Sequence, residues 1–196
     1  MYPRCLTRRA SLMLPVLLFA CGEERQDFPT LRYGYLPQIR LNVARVDIQQ
    51  RFIPSGRLPD VSQLSPARPV DAVYAMAEDR LAAVGTVGIA VFAINDASLV
   101  KHDDEITGRI AVELSIHAAD GKRLGFAQAQ VARQHTGHID DLRETLYSLT
   151  KAMMDAMNVE FEYQLRRNLG PWLPPESAVP APVQQRPLET SRPVGE

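Results

Sequence analysis

The run from Ile106 to Ala118 constrains this chain more than any other stretch. Ile106, Gly108, Ile110, Val112, Leu114, Ile116 and Ala118 alternate with Thr107, Arg109, Ala111, Glu113, Ser115 and His117. A period of two sends successive side chains to opposite sides of a strand, so this strand must bury one side and wet the other. Its register is thereby pinned, because a slip of one residue would turn every apolar group into water. Asp120-Gly121 follows, a pair favoured in type I′ hairpin turns, and Leu124 to His135 supplies the return strand. The fold must therefore contain an antiparallel sheet with one side packed and one side open.

Two amphipathic stretches can do the packing. Pro69 opens the first, where its missing N–H is harmless, and Val70, Val73, Tyr74, Ala77, Leu81 and Val84 recur at helical spacing before Gly85. The second begins with Asp140 and Asp141, acids suited to the positive end of the helix dipole. It carries Leu142, Leu146, Leu149, Met153, Met157, Phe161, Leu165 and Leu169, and Arg166, Arg167 and Gly170-Pro171 close it. Ahead of the first helix, Ile39, Leu41 and Val43 alternate while Val46 and Ile48 continue in the opposite phase. This predicts one strand over Ile39 to Phe52 with a bulge near Ala44, followed by a loop over 53–68. Gly88 to Val100 is apolar throughout Ile89 to Ile94, which fits a central strand covered on both faces, or packed on one and partly occluded on the other.

The order predicts an α+β two-layer sandwich, β-α-β-β-β-α, with a four-stranded mixed sheet carrying two helices on one face. A right-handed crossover would make the first two strands parallel. The other face is left open, and Arg109, Glu113, Ser115 and His117 on it are the candidate partner-binding residues.

The flanks read differently. Arg4, Arg8 and Arg9 precede a nine-residue apolar core, Leu12 to Ala20, far short of a bilayer span of roughly 20 residues. Leu18-Phe19-Ala20-Cys21 resembles the bacterial lipobox, with Phe19 the looser position. That resemblance implies removal of residues 1–20 as a signal peptide and acylation of the Cys21 thiol, with chains of the palmitate kind. Thr7-Arg8-Arg9-Ala10-Ser11-Leu12 also resembles a twin-arginine signal, so the sequence leaves the export route open. Cys5 departs with the leader, and no internal disulfide can form.

Loss of the leader removes three of 22 basic residues and none of 23 acidic ones, leaving 19 against 23 and a formal net charge of −4. An acidic surface whose only lysines are Lys101, Lys122 and Lys151 excludes nucleic acid as a partner and lacks a polybasic lipid patch, so membrane attachment must rest on the lipid anchor. Residues 21–38, interrupted by Pro29, Gly34 and Pro37, read as a lipidated N-terminus and tether, of which the sixteen residues from Gly22 to Pro37 reach about 50 Å. Residues 39–170 read as the domain. Residues 171–196 hold seven prolines in 26 positions and read as a disordered tail, in which Trp172 alone suits folding back onto the helix.

The sequence contains no Gly-rich phosphate loop, no nucleophile elbow and no thiol left free after acylation. No enzyme, catalytic residue or cofactor is expected. Hairpin pairing sets His135 beside Ile106, which should bring His102, Asp103, Asp104 and Glu105 toward His135, His138, Asp140 and Asp141. That set lacks tight ligand spacing, and no metal site is expected from it. Met153, Met154 and Met157 at helical spacing read as core.

Lipobox, tether and a strand-helix-three-strand-helix domain together resemble two groups of envelope lipoproteins, the lipopolysaccharide-assembly lipoproteins and the auxiliary lipoproteins of ABC-type lipid transport systems. Ala72-Val73-Tyr74-Ala75-Met76-Ala77-Glu78-Asp79-Arg80-Leu81 is similar to the first-helix region of the second group, and the resemblance covers Ile39 to Leu169. It implies a non-enzymatic accessory component of a lipid-transport or envelope-assembly complex, with an envelope protein complex as partner. Its alternative is a periplasmic lipid-binding carrier with a cavity between helices and sheet. Gly22, standing where an aspartate would signal inner-membrane retention, implies an outer-membrane anchor on the periplasmic face, with the inner membrane as the alternative.

Overall fold

A computed structural model describes residues 27–174. The chain order is β1 Ile39–Leu41, β2 Arg45–Gln50, α1 Pro69–Arg80, β3 Leu81–Ala83, β4 Ile89–His102, β5 Glu105–His117, β6 Arg123–Thr136 and α2 Leu142–Asn168. The main sheet is ordered β2-β4-β5-β6, with β2 parallel to β4 and the other pairs antiparallel. Both helices cover one face of it, giving the α+β sandwich that the sequence predicts.

Alternation explains the packing. Phe92, Ile94, Ile110, Val112, Leu114 and Ile116 point inward and are fully buried, and Phe92 meets Phe161 of α2 edge-on at 5.4 Å between ring centroids. Met153, Met154 and Met157 are buried among them as core. Ile106 pairs with His135, as the hairpin requires.

The predicted first strand is instead two strands in two sheets. Val43 N–H turns back to Leu41 C=O at 2.8 Å, a three-residue γ-type turn, and the chain leaves one sheet for the other across Asn42 to Ala44. The phase slip near Ala44 thus marks a change of partner and not a bulge. β1 pairs in parallel with β3, which occupies residues expected to finish the first helix. Helical spacing of Leu81 and Val84 is overridden there by backbone bonds to β1, so α1 stops at Arg80. The Asp120-Gly121 turn also differs. Gly121 alone has positive φ, at 84°, and its N–H bonds Ala118 C=O, while Ala118 N–H bonds Lys122 C=O. This is a three-residue loop with a bulge, since a type I′ turn would need positive φ at two residues.

Asp141 is the N-cap of α2 and accepts from the N–H groups of Arg143 and Glu144, so Asp140 lies just outside the helix that both acids were expected to begin. At the other end, Gly170-Pro171 does not stop the chain's order at once. A 3-10 turn over Gly170–Trp172 follows, and Trp172 C=O accepts from Asn42 N–H at 2.7 Å, which puts Trp172 in the domain and not in the tail. The rest of the expected tail, from residue 175, lies outside the described residues, as does the expected signal peptide over 1–20.

The expected tether is mostly domain as well. Tyr33 is buried, Leu31 and Leu36 pack on the core, and Tyr33 N–H bonds Asp79 at 2.7 Å. Burial would raise the Asp79 carboxyl, but hydrogen bonds from Arg32 and the Tyr33 N–H outweigh it and hold the group below the usual carboxylate range.

β4 outruns β2, whose last paired residue, Gln50, faces Ile94. After a register shift at Asn95 the loop takes over that edge: Lys101 N–H bonds Pro59 C=O, Val61 N–H bonds Leu99 C=O and Leu99 N–H bonds Ser62 Oγ. Asp60 pairs with Val100 in an antiparallel bridge.

Gly85 closes the junction of the two sheets. A Cβ there would lie 2.7 Å from the Asn42 carbonyl carbon and 2.8 Å from Val43 N, and this backbone cannot swing aside as a side chain does. Gly85→Ala is expected to lower stability by about 1–3 kcal/mol in urea unfolding, the range for overpacking. A change below a few tenths of a kcal/mol would show that the junction can open.

Candidate functional site

The open face of the sheet is built from the outward positions of four strands. Across β4, β5 and β6 the outward neighbours run Ala93-Glu113-Gln128 and Ser98-Arg109-Ala132, with β2 supplying Gln49 beside Ala93. Small alanines lie among polar groups, so the face is mixed in character, and among the described residues no helix lies over it.

Most of its charges are matched inside the face. Gln128 Nε2 donates to Glu113 at 2.7 Å, and Arg123 stands 3.7 Å from the same carboxylate. Arg109 faces Asp96 at 3.7 Å, beyond hydrogen-bond reach. Arg123 also lies over the Phe126 ring, 4.3 Å from its centroid, and Phe126 is 43% exposed.

The four candidate residues are therefore not equal. Arg109 keeps half of its side chain in water. Glu113 is nearly covered by its partners. Ser115, expected to be wet, is buried: its hydroxyl is 3.0 Å from His117 Nε2, and His117 Nδ1 is 3.3 Å from Gly121 C=O. The Gly121 carbonyl can only accept, so this contact calls for a hydrogen on Nδ1, and Ser115 Oγ and Nε2 share the other contact. Ser115 and His117 thus brace the β5–β6 turn. Cys21 lies outside the described residues.

At the far end of the sheet, the β4–β5 turn runs through Asp103 and Asp104, and Gly137 N–H bonds Asp104 C=O at 3.2 Å. The two predicted clusters do approach one another. His138 stands 3.3 Å from Asp140, both well exposed, while Asp141 is committed to its cap. Among the described residues no group of three or more His, Cys, Asp or Glu is placed to hold a metal ion.

Sequence reasoning missed a clamp on the helix side. Arg80, 2% exposed, donates to Asn158 Oδ1 at 3.0 Å, to Asn158 C=O at 3.2 Å and to Glu162 Oε2 at 2.5 Å. It forms the floor of a surface cleft of about 330 Å³ walled by Leu36, Val159 and Tyr163. The signal was present in the spacing, since Val73, Met76, Ala77 and Arg80 continue one helical stripe.

No family model matches the chain, and no curated protein matches it. Among solved structures, a minor lipoprotein of Acinetobacter baumannii is similar over 65% of this chain and 96% of its own, at 13% identity and a TM-score of 0.36. A Neisseria meningitidis lipoprotein is similar over 63% of this chain and 99% of its own, at 8% identity and a TM-score of 0.24. Likenesses this remote leave the function to be read from the chain's own residues.

Proposed function

We propose that this chain is a non-enzymatic envelope lipoprotein, acylated at Cys21, that serves a lipid-transport or envelope-assembly complex by protein contact. The observation that carries the reading is the open sheet face. A surface of alanine, glutamine, a half-exposed arginine and one aromatic suits a polar protein interface better than a lipid surface. Membrane residence rests on the lipobox-like sequence before Cys21, and the glycine after it favours the outer membrane. The space between helices and sheet is filled by Phe92, Phe161, Met153 and Met157, which supports contact over lipid cargo.

The test must spare the internal pairs. Reversing Arg109 and Glu113 would set a carboxylate beside Asp96 and a guanidinium beside Arg123, so loss of function could follow from misfolding. Gln130 and Ala132 are exposed on the same face, with Ala132 opposite Arg109. Gln130→Arg combined with Ala132→Glu should leave melting unchanged and reduce co-purification of the complex from crosslinked envelopes by about tenfold or more, the scale of one interface hot spot. Undiminished co-purification would move the contact to the loop over 53–68.

A further inference from the structure

We infer that the surface around Phe28 rests on the phosphate headgroups of the membrane that anchors the chain, so that the open sheet face points away from that membrane. The inference depends on acylation of Cys21 and adds an orientation to it.

The reach of the leash comes first. Phe28 packs on Tyr147 with ring centroids 5.2 Å apart, Tyr147 Oη donates to Pro29 C=O at 2.9 Å, and Arg32 and the Tyr33 N–H bond Asp79. Among the described residues Phe28 is the first that packs on the domain. From Cys21 to Phe28 is a span of seven residues. At full extension these reach about 25 Å, half of what the sequence suggests.

The side of attachment follows from the contacts. Phe28 to Tyr33 touch α1 and α2, in the layer opposite the open sheet face. Helix and sheet layers are separated by about 10 Å, so the open face lies beyond both when Phe28 is drawn to the lipid.

Chemistry agrees with geometry. Arg32 and Arg68 flank a cleft of about 160 Å³ that Phe28 and Leu31 also line, and exposed Arg143 stands 5.5 Å from the Phe28 ring centroid. Guanidinium forks match phosphate oxygens in geometry as well as charge. Arg32 and Arg68 are partly matched by Asp79 and Asp71, so their pull on a free bilayer would be weak. A short leash makes weak contacts sufficient, because it holds the surface at high effective concentration beside the lipid.

The mature chain has no thiol besides Cys21, so a single introduced cysteine can be labelled specifically. Thr30→Cys and Gln130→Cys, both at exposed positions, would each carry an environment-sensitive fluorophore on the acylated protein. The protein is reconstituted into phosphatidylethanolamine and phosphatidylglycerol vesicles containing a headgroup nitroxide lipid. Quenching should be several-fold stronger at position 30 than at position 130. Equal quenching, or stronger quenching at 130, from protein that floats with the vesicles overturns the orientation and leaves the anchoring intact. Protein that does not float overturns both.

Discussion

Cys21→Ser protein is expected in the soluble fraction of lysed cells, with the circular dichroism and melting temperature of the parent. Among the described residues no helix is long and apolar enough to cross a membrane. Processed before Cys21 as proposed, the chain would carry a net charge of −4 and have no electrostatic substitute for acyl chains that contribute about 0.8 kcal/mol per buried CH2. Arg32, Arg68 and Arg143 do not rescue attachment, because without the leash their contacts are diluted into bulk. The fold is spared, since among the described residues the first to pack is Phe28 and none is a cysteine. Mutant protein that still sediments with membranes after a high-salt wash would remove the anchor and with it the envelope reading.

Arg80→Ala should lower the free energy of unfolding by about 3 kcal/mol, toward the low end of the range for breaking a buried ion pair. The substitution leaves Asn158 Oδ1 without its donor in a buried site, takes a second donor from the helical Asn158 C=O, and deprives Glu162 of its nearest cation. Glu162 is one-third exposed, and water recovers part of the loss there. Set against a total stability of about 5–15 kcal/mol, this is a large fraction. Urea unfolding measures it, and a loss below about 1 kcal/mol would mean the clamp is a bystander.

The same carboxylate gives a signed pH dependence. Burial would raise the Glu162 pKa, but hydrogen bonds from Arg80 and then Arg166 outweigh it and hold the group below its ordinary value. A folded value below the unfolded one, about 4.3, means a contribution complete above that pH and lost as pH falls through the lowered folded value. Between pH 7 and pH 3 the parent should therefore lose more stability than Arg80→Ala. Equal losses would uncouple Glu162 from Arg80.

The contrast between β5 and β1 shows what could be read from the chain alone. β5 is specified locally, because its own alternation states which side is buried and the turn after it states where the partner lies. The start of α2 is likewise local, since an aspartate bonding N–H groups two and three residues on needs no distant partner. β1 and β3 are not local. Leu81 extends a helical stripe in sequence, and only a backbone some 40 positions earlier, at Ile39, draws it into a sheet. Arg80 escaped notice because charge argues for the surface, while its position on the Val73–Met76 stripe argues for the interior. Tyr33 and Leu36 sit among a proline and a glycine that suggest a tether, and their burial depends on a groove that neither residue encodes. On the candidate face, Ser115 has the right phase to be wet, but a His117 ring folded back over it excludes water. Side-chain lean of this kind leaves no mark in periodicity.

The loop that pairs with the end of β4 has a meaning for a chain anchored as proposed. Anchored chains share two dimensions, and their encounters are far more frequent than those of the same number of molecules in solution. An exposed strand edge is a template on which another copy can continue the ladder. Beyond Ile94 such a template would present, among other groups, the N–H groups of Leu99 and Lys101 and the Leu99 carbonyl, and Pro59 to Ser62 hold these three. The sixteen residues from Ile53 to Arg68 thereby act as an intramolecular guard, which accounts for a loop of this length without assigning it a lid's task. For a chain acylated at Cys21 as proposed, crowding on a membrane would raise collision frequency while this stretch of the edge is already paired.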